Sequence, residues 1–207
     1  MKIVEPHVQI LTPIDRDFVY KHIESCGRTC YKSTPTDTSA EKFIRGIIKS
    51  GHESVLEHFS FSVKMLCDVG VYKDLTRHRH ASFSIESTRF CNYSKDKFGK
   101  EITFIQPCNM YYKSPEFGIW ADAMQYIEDS YNSMAAMGAT ADQLRMLLPH
   151  STAAEVCMTA NIREWRHILK LRTAKAVHPA VRQIMLQLLK QLKELIPVFF
   201  EDIGDDD

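Results

Sequence analysis

Residues 58–65, "HFSFSVKM", set Phe59, Phe61, Val63 and Met65 against Ser60, Ser62 and Lys64. A period of two belongs to a strand with one buried face, so this chain contains a sheet. On either side the apolar spacing changes to that of helices. Thr12-Pro13-Ile14-Asp15 reads as a helix start, and "DFVYKHIESCGRTC" carries Phe18, Val19, His22, Ile23 and Cys26 on one face. A second helix follows through "SAEKFIRGIIKSG", with Ser39 as cap and Gly51 as stop. "VGVYKDLTRHR" is a short helix, "EITFIQP" a short strand, and "FGIWADAMQYIEDSYNSMAAMG" a long helix ended by Gly138. Thr140 and Gln143 form a capping-box pattern, "AAEVCMTA" alternates as a strand, and Asn161 with Glu164 caps "IREWRHILKLRTAK". From Pro179 a last helix aligns Val181, Ile184, Met185, Leu188, Leu189, Leu192 and Leu195, a stripe that is core or subunit interface. The class is α/β or α+β, helices packed on a modest sheet.

The 207 residues, 44% hydrophobic and 25% charged, suit a single domain spanning 1–207. Lys plus Arg and Asp plus Glu are both 26, so the formal charge is zero and no global attraction to nucleic acid or anionic membrane is expected. The N-terminal stretch is broken by Glu5, Pro6 and His7, and no segment approaches a membrane span, which points to a cytoplasmic chain. Six cysteines without a CxxC pair suit free thiols. Cys26 and Cys30, one turn apart, fit core packing better than half a metal site, and "GHESVLEH" lacks the HExxH spacing, so no metal is expected. The tail "EDIGDDD" reads as solvated and frayed.

Against this neutral background, "RHRHASFSIESTRF", Arg77 to Phe90, gathers three arginines, two histidines and four hydroxyl side chains into fourteen residues. The spacing of Ser82, Ser84, Ser87, Thr88 and Arg89 suits a loop wrapping an anion. Guanidinium forks bind phosphate through parallel charge-assisted hydrogen bonds, while hydroxyls and loop N–H groups fill the remaining lone pairs. At roughly 1.5–3 kcal/mol each, a few such bonds account for micromolar binding, about 8 kcal/mol. An arbitrary arginine cluster is most often a solvated loop paired with nearby acids. Here only Glu86 is acidic between Arg77 and Arg89, so local pairing cannot neutralise the group. A second basic set comprises Arg145, Arg163, Arg166 and Arg172; Arg163 and His167 share a helix face, whereas Arg166 is displaced and reads as a surface residue.

RHR, seven residues, then Ser is the signature of the flavin-dependent thymidylate synthases, and the chain resembles that family over nearly its whole length. "SGHESVLEHFSFS" and "MLLPHSTAAEVCMTANIREWRHILKLR" extend the resemblance in the same order. It implies methylation of dUMP to dTMP, with methylenetetrahydrofolate as carbon donor and NADPH as reductant through FAD, in a homotetramer. Carried onto matching positions, Arg77, His78 and Arg79 hold the flavin, with His52, Glu57, Asn161, Arg163 and His167 near it. Asp74, Ser87, Thr88, Arg89 and Arg145 grip dUMP, and Arg172 faces the uracil ring; Arg172, Ser87 and His52 stand as the catalytic set. The implied fold is a helix-flanked sheet, not a Rossmann fold, in keeping with the missing GxGxxG. Ile85 stands where the family commonly has Gln or Glu, Phe90 where it has Tyr, and Asp74 where it has Gln or Glu. Two rivals stand beside this reading, apart from a repurposed flavin-binding homologue. One is a cysteine-dependent synthase built on Pro107-Cys108; the other is an RNA-binding module that stacks bases on Phe83 and Phe90.

Overall fold

The computed structural model describes residues 1–30, 32–89, 91–95 and 99–204. Phe90 and residues 205–207 of the acidic tail lie outside them. The chain divides into two compact units. The first comprises Met1–His7, Met65–Arg77 and Ser84–Val156; the second comprises Val8–Lys64, His78–Phe83 and Cys157–Asp207.

Among the described residues, six strands form two sheets. In the smaller, β1 (Lys2–Val4) runs parallel to β5 (Thr103–Ile105), with Ile3 opposite Phe104. The larger has the order β2-β3-β6-β4, from His7–Ile10, Ser60–Asp68, Ala153–Asn161 and Ala81–Ile85. The alternation read from the sequence is present in β3, where Phe61, Val63, Met65 and Cys67 are all buried. Neither β1 nor β2 was legible, because each is too short for a period to show. β4 is a correction: part of the stretch read as an anion-wrapping loop is a strand, its residues alternating half-buried and exposed.

Helix α1 (Arg16–Thr29) begins later than Thr12-Pro13 suggested, because Asp15 is the cap, its carboxylate accepting from the Phe18 amide at 3.0 Å. Its inner face is Val19, Tyr20 and Ile23; Phe18 is instead 59% exposed and stacks on His22, and Cys30 is exposed rather than in the core. Helix α2 (Ala40–Ser50) stops at left-handed Gly51 as expected, but Ser39 does not cap it. The Ser39 hydroxyl is turned toward the buried Glu24 carboxylate instead. The two helices approach so closely at Gly27 that a methyl group there would lie 2.7 Å from the Phe43 ring.

Helix α3 (Val69–Leu75), capped by Asp68, ends just before Arg77. Helix α4 (Pro115–Ala136) ends as predicted at Gly138, φ 87°. α5 (Ala141–Leu144) uses the Thr140–Gln143 capping pattern, the Thr140 amide donating to Gln143 Oε1 at 2.8 Å. α6 (Ile162–Arg172) carries Trp165 inward, its ring 5.4 Å from that of Phe61 and its Nε1–H donating to the Phe61 carbonyl. α7 (Pro179–Leu195) buries Val181, Ile184, Met185, Leu188, Leu189 and Leu192 within the chain, so the stripe is core and only Leu195 reaches the surface. In the described part of the tail Ile203 is buried and Glu201 is bonded to Arg45, so it is not simply solvated.

Candidate active site

Asn161 starts the helix on which half of the second unit's candidates are mounted. Its Oδ1 accepts from the Glu164 amide at 2.9 Å, holding the backbone in an extended turn before α6. In the first turn of that helix, Arg163 reaches the short 3-10 turn Glu53–His58, where its Nη1 donates to Glu57 Oε1 at 2.5 Å. Both side chains are about half exposed. An exposed pair of this kind is worth at most about 1 kcal/mol, so either partner can turn to a ligand at little cost. His52, exposed, precedes the same 3-10 turn and lines an open cavity of about 620 Å3, with Arg28, Lys42, Phe43 and Ser50 among its walls.

His78 is buried, whereas its neighbours Arg77 and Arg79 are exposed. The His78 ring accepts at Nε2 from Arg172 Nε at 3.0 Å, meets the His167 ring edge-on at 6.0 Å, and turns Nδ1 toward Glu164 Oε1 at 3.7 Å. Thus His78, His167 and Arg172 lie together, joined by Glu164, which the sequence shows only as part of a helix cap. No local signal distinguishes a partly buried first-turn carboxylate from the solvated kind.

The remaining candidates lie in the first unit. Arg77 Nε stands 3.8 Å from Asp74 Oδ1, so these two form one ion pair. Ser87 Oγ accepts from the Arg89 amide at 3.4 Å, and Thr88 between them is half-buried. Arg89 Nε pairs with Asp142 Oδ1 at 3.3 Å, three residues before exposed Arg145. Partners for the basic stretch therefore come from beyond it. Among the described residues, neither Arg79 nor Arg145 is in an ion pair, which leaves both guanidinium groups facing solvent. Glu86 is engaged elsewhere, accepting from the Tyr93 hydroxyl at 2.8 Å and from the Glu155 amide at 3.2 Å.

Arg166 overturns its reading as a surface residue. It is fully buried, donating to Glu53 and to both oxygens of Asp202 at 2.7 and 2.8 Å, and also to the Phe199 carbonyl. Burial alone would lower its pKa, but the two carboxylates hold it above the ordinary value. This arginine anchors the 3-10 turn that carries Glu57 and follows His52. Cys108, the rival nucleophile, is exposed with its thiol turned toward Asn109 Oδ1 at 3.6 Å, and partial desolvation shifts its pKa upward, which disfavours the thiolate.

The family model described as "Thymidylate synthase complementing protein" matches residues 18–198. A flavin-dependent thymidylate synthase of Geobacter sulfurreducens is 29% identical over 86% of this chain and 78% of its own length. A probable flavin-dependent thymidylate synthase of Mycobacterium phage L5 is 30% identical over 88% and 79%. Among solved structures, the UMP/dUMP methylase PolB of Streptomyces cacaoi, bound with 5-Br dUMP, superposes with a TM-score of 0.77 at 21% identity over 97% of this chain and 96% of that one, a likeness of fold.

Proposed function

The chain belongs to the thymidylate synthase complementing protein family, the flavin-dependent thymidylate synthases, and we propose that it methylates dUMP to dTMP with FAD as its resident cofactor. In this reading methylenetetrahydrofolate donates the carbon and NADPH the reducing equivalents, in a cytoplasmic homotetramer. The observation that carries it is the partly buried His78–Arg172 hydrogen bond beside the exposed Arg79. A dinucleotide cofactor needs guanidinium donors for its diphosphate and a wall against its ring system, and this arrangement supplies both types of group.

Bound FAD supplies the redox chemistry that no side chain of the chain can perform. Arg77 and Arg79 bind its phosphates, and His78, His52, Glu57, Asn161, Arg163 and His167 shape the surface it lies against. Ser87, Thr88, Arg89 and Arg145 bind the dUMP phosphate and sugar, with Asp74 setting the direction of Arg77. Arg172 faces the uracil, where a fixed guanidinium stabilises negative charge gathering on the carbonyl oxygens during methyl transfer. Ser87 orients the nucleotide and His52 orients the flavin or a water beside it. Ile85 removes a polar group from the nucleotide side, so dUMP is held mainly by its phosphate.

The test is anaerobic NADPH oxidation by the flavin-loaded protein with and without dUMP, followed by assay of dTMP once the folate is added. A bleaching flavin and labelled dTMP are expected. A colourless protein that shifts RNA in a steeply salt-dependent manner would sink the reading.

A further inference from the structure

We propose that Glu164 is a positioning residue, which fixes the tautomer of His78 and, through that imidazole, the direction of the Arg172 guanidinium. The proposal rests on the assignment of Arg172 to the pyrimidine and deepens it.

The argument starts from protons. An arginine stays protonated at any pH a folded protein meets, so Arg172 Nε is a donor and the atom it meets at 3.0 Å, His78 Nε2, must present a lone pair. A neutral imidazole with its lone pair on Nε2 carries its hydrogen on Nδ1. That nitrogen faces Glu164 Oε1 at 3.7 Å. The opposite tautomer would set N–H against N–H at one end of the ring and a lone pair against a carboxylate at the other. An imidazolium would keep the first of these clashes. Only the Nδ1–H form suits both neighbours.

The position of Glu164 is also unusual for its place in the chain. A carboxylate in the first turn of a helix ordinarily stays in water, where the helix dipole favours it by about 0.3–1 kcal/mol. Here the side chain is 12% exposed and is turned toward His78, itself buried. Removing a carboxylate from water is costly unless its charge meets a donor. Its backbone is fixed by the Asn161 cap, so one local motif both starts α6 and sets the carboxylate behind the imidazole. His167 lies edge-on to the ring, 6.0 Å between centroids. The Nε–H bond lies in the guanidinium plane, so an acceptor held on that bond decides where the amino groups at the far end are aimed.

The full-length protein labelled with nitrogen-15 histidine tests this by long-range proton–nitrogen correlation, the His78 signals being assigned by their loss in His78→Gln. Wild type is expected to show a protonated Nδ1 and an unprotonated Nε2. In Glu164→Ala only Arg172 still favours the Nδ1–H form, so the other tautomer should gain population, and kcat for dTMP should fall about 10- to 100-fold, by analogy with the loss of a partner that orients a metal-bound imidazole, with KM for dUMP little changed. Glu164→Gln, whose amide oxygen still accepts, should restore the tautomer and most of the turnover. A wild-type ring protonated on Nε2 overturns the proposal; so does a ring that stays purely Nδ1–H in Glu164→Ala, and so does a Gln variant that behaves like Ala. The tautomer is read without turnover. A chain that shows it yet forms no dTMP supports this inference and overturns the function above; a chain that forms dTMP with His78 protonated on Nε2 does the reverse.

Discussion

Guanidinium groups in this protein do different work according to what surrounds each one. Arg172 is held by His78 at its Nε and, under the proposed function, acts on charge that develops only as the pyrimidine reacts. Arg172→Ala should therefore lower kcat/KM for dUMP by about 100- to 1,000-fold, as removal of one preorganised donor does elsewhere, while FAD content stays near that of wild type. Equal losses of turnover and flavin, read by activity assay and by the visible spectrum of the purified protein, would contradict the assignment. Cys108→Ala is expected to leave dTMP formation unchanged, because that thiol is pushed away from its reactive form. The arginines themselves, and the family signature they belong to, were legible in the sequence. Their partners were not: Glu164, Asp142, Glu53 and Asp202 are ordinary helix or tail acids until the chain is folded.

Among the elements, α6 shows how one helix serves both the core and the candidate site. Its inward positions are Trp165, stacked on Phe61, and Arg166, clasped by Glu53 and Asp202. Arg163, His167 and Arg172 project from the same helix toward the residues assigned to the ligands. Arg166→Ala would remove the main counter-charge of Glu53 and Asp202, whose side chains are 25% and 39% exposed, so its cost by urea unfolding should fall below the roughly 3–5 kcal/mol of a fully buried broken pair. Arg166→Met, which keeps the packing volume, should differ little from Ala if charge dominates; a Met variant as stable as wild type would show that packing does. The same cluster predicts a dependence on pH. Burial alone would raise the Asp202 carboxyl, but Arg166 and, less strongly, Lys170 hold it below its ordinary value. Its stabilising contribution is then fully present above the unfolded carboxyl pKa of about 3.9 and is lost as pH falls through the lower folded value. The stability difference between wild type and Asp202→Asn should stay constant near neutrality and shrink below about pH 4; a difference that grows on acidification would show the reverse linkage.

For the molecule as a whole, the proposed function links ligand binding to stability, since FAD and dUMP would bind the folded chain and not the unfolded one. At a hundredfold excess over Kd each should add about 2.7 kcal/mol, read as a rise in Tm. Arg77→Ala with Arg79→Ala should abolish the FAD-dependent rise yet keep the ligand-free Tm, because both side chains are exposed. A double variant with an undiminished FAD response would place the phosphate site elsewhere. Sedimentation should give four times the mass of one chain if the proposed tetramer forms. The helices, the strand at Phe61–Met65 and the family signature followed from the sequence alone, because apolar period, caps and motif spacing act within a few residues of one another. The tertiary structure alone decided that Arg166 is core while Arg79 meets solvent, that Ala81–Ile85 is a strand, and that Glu164 stands behind His78. Those outcomes depend on which distant segments are brought within a few ångströms, where a charge is either desolvated and paired or left in water, and no local pattern encodes that.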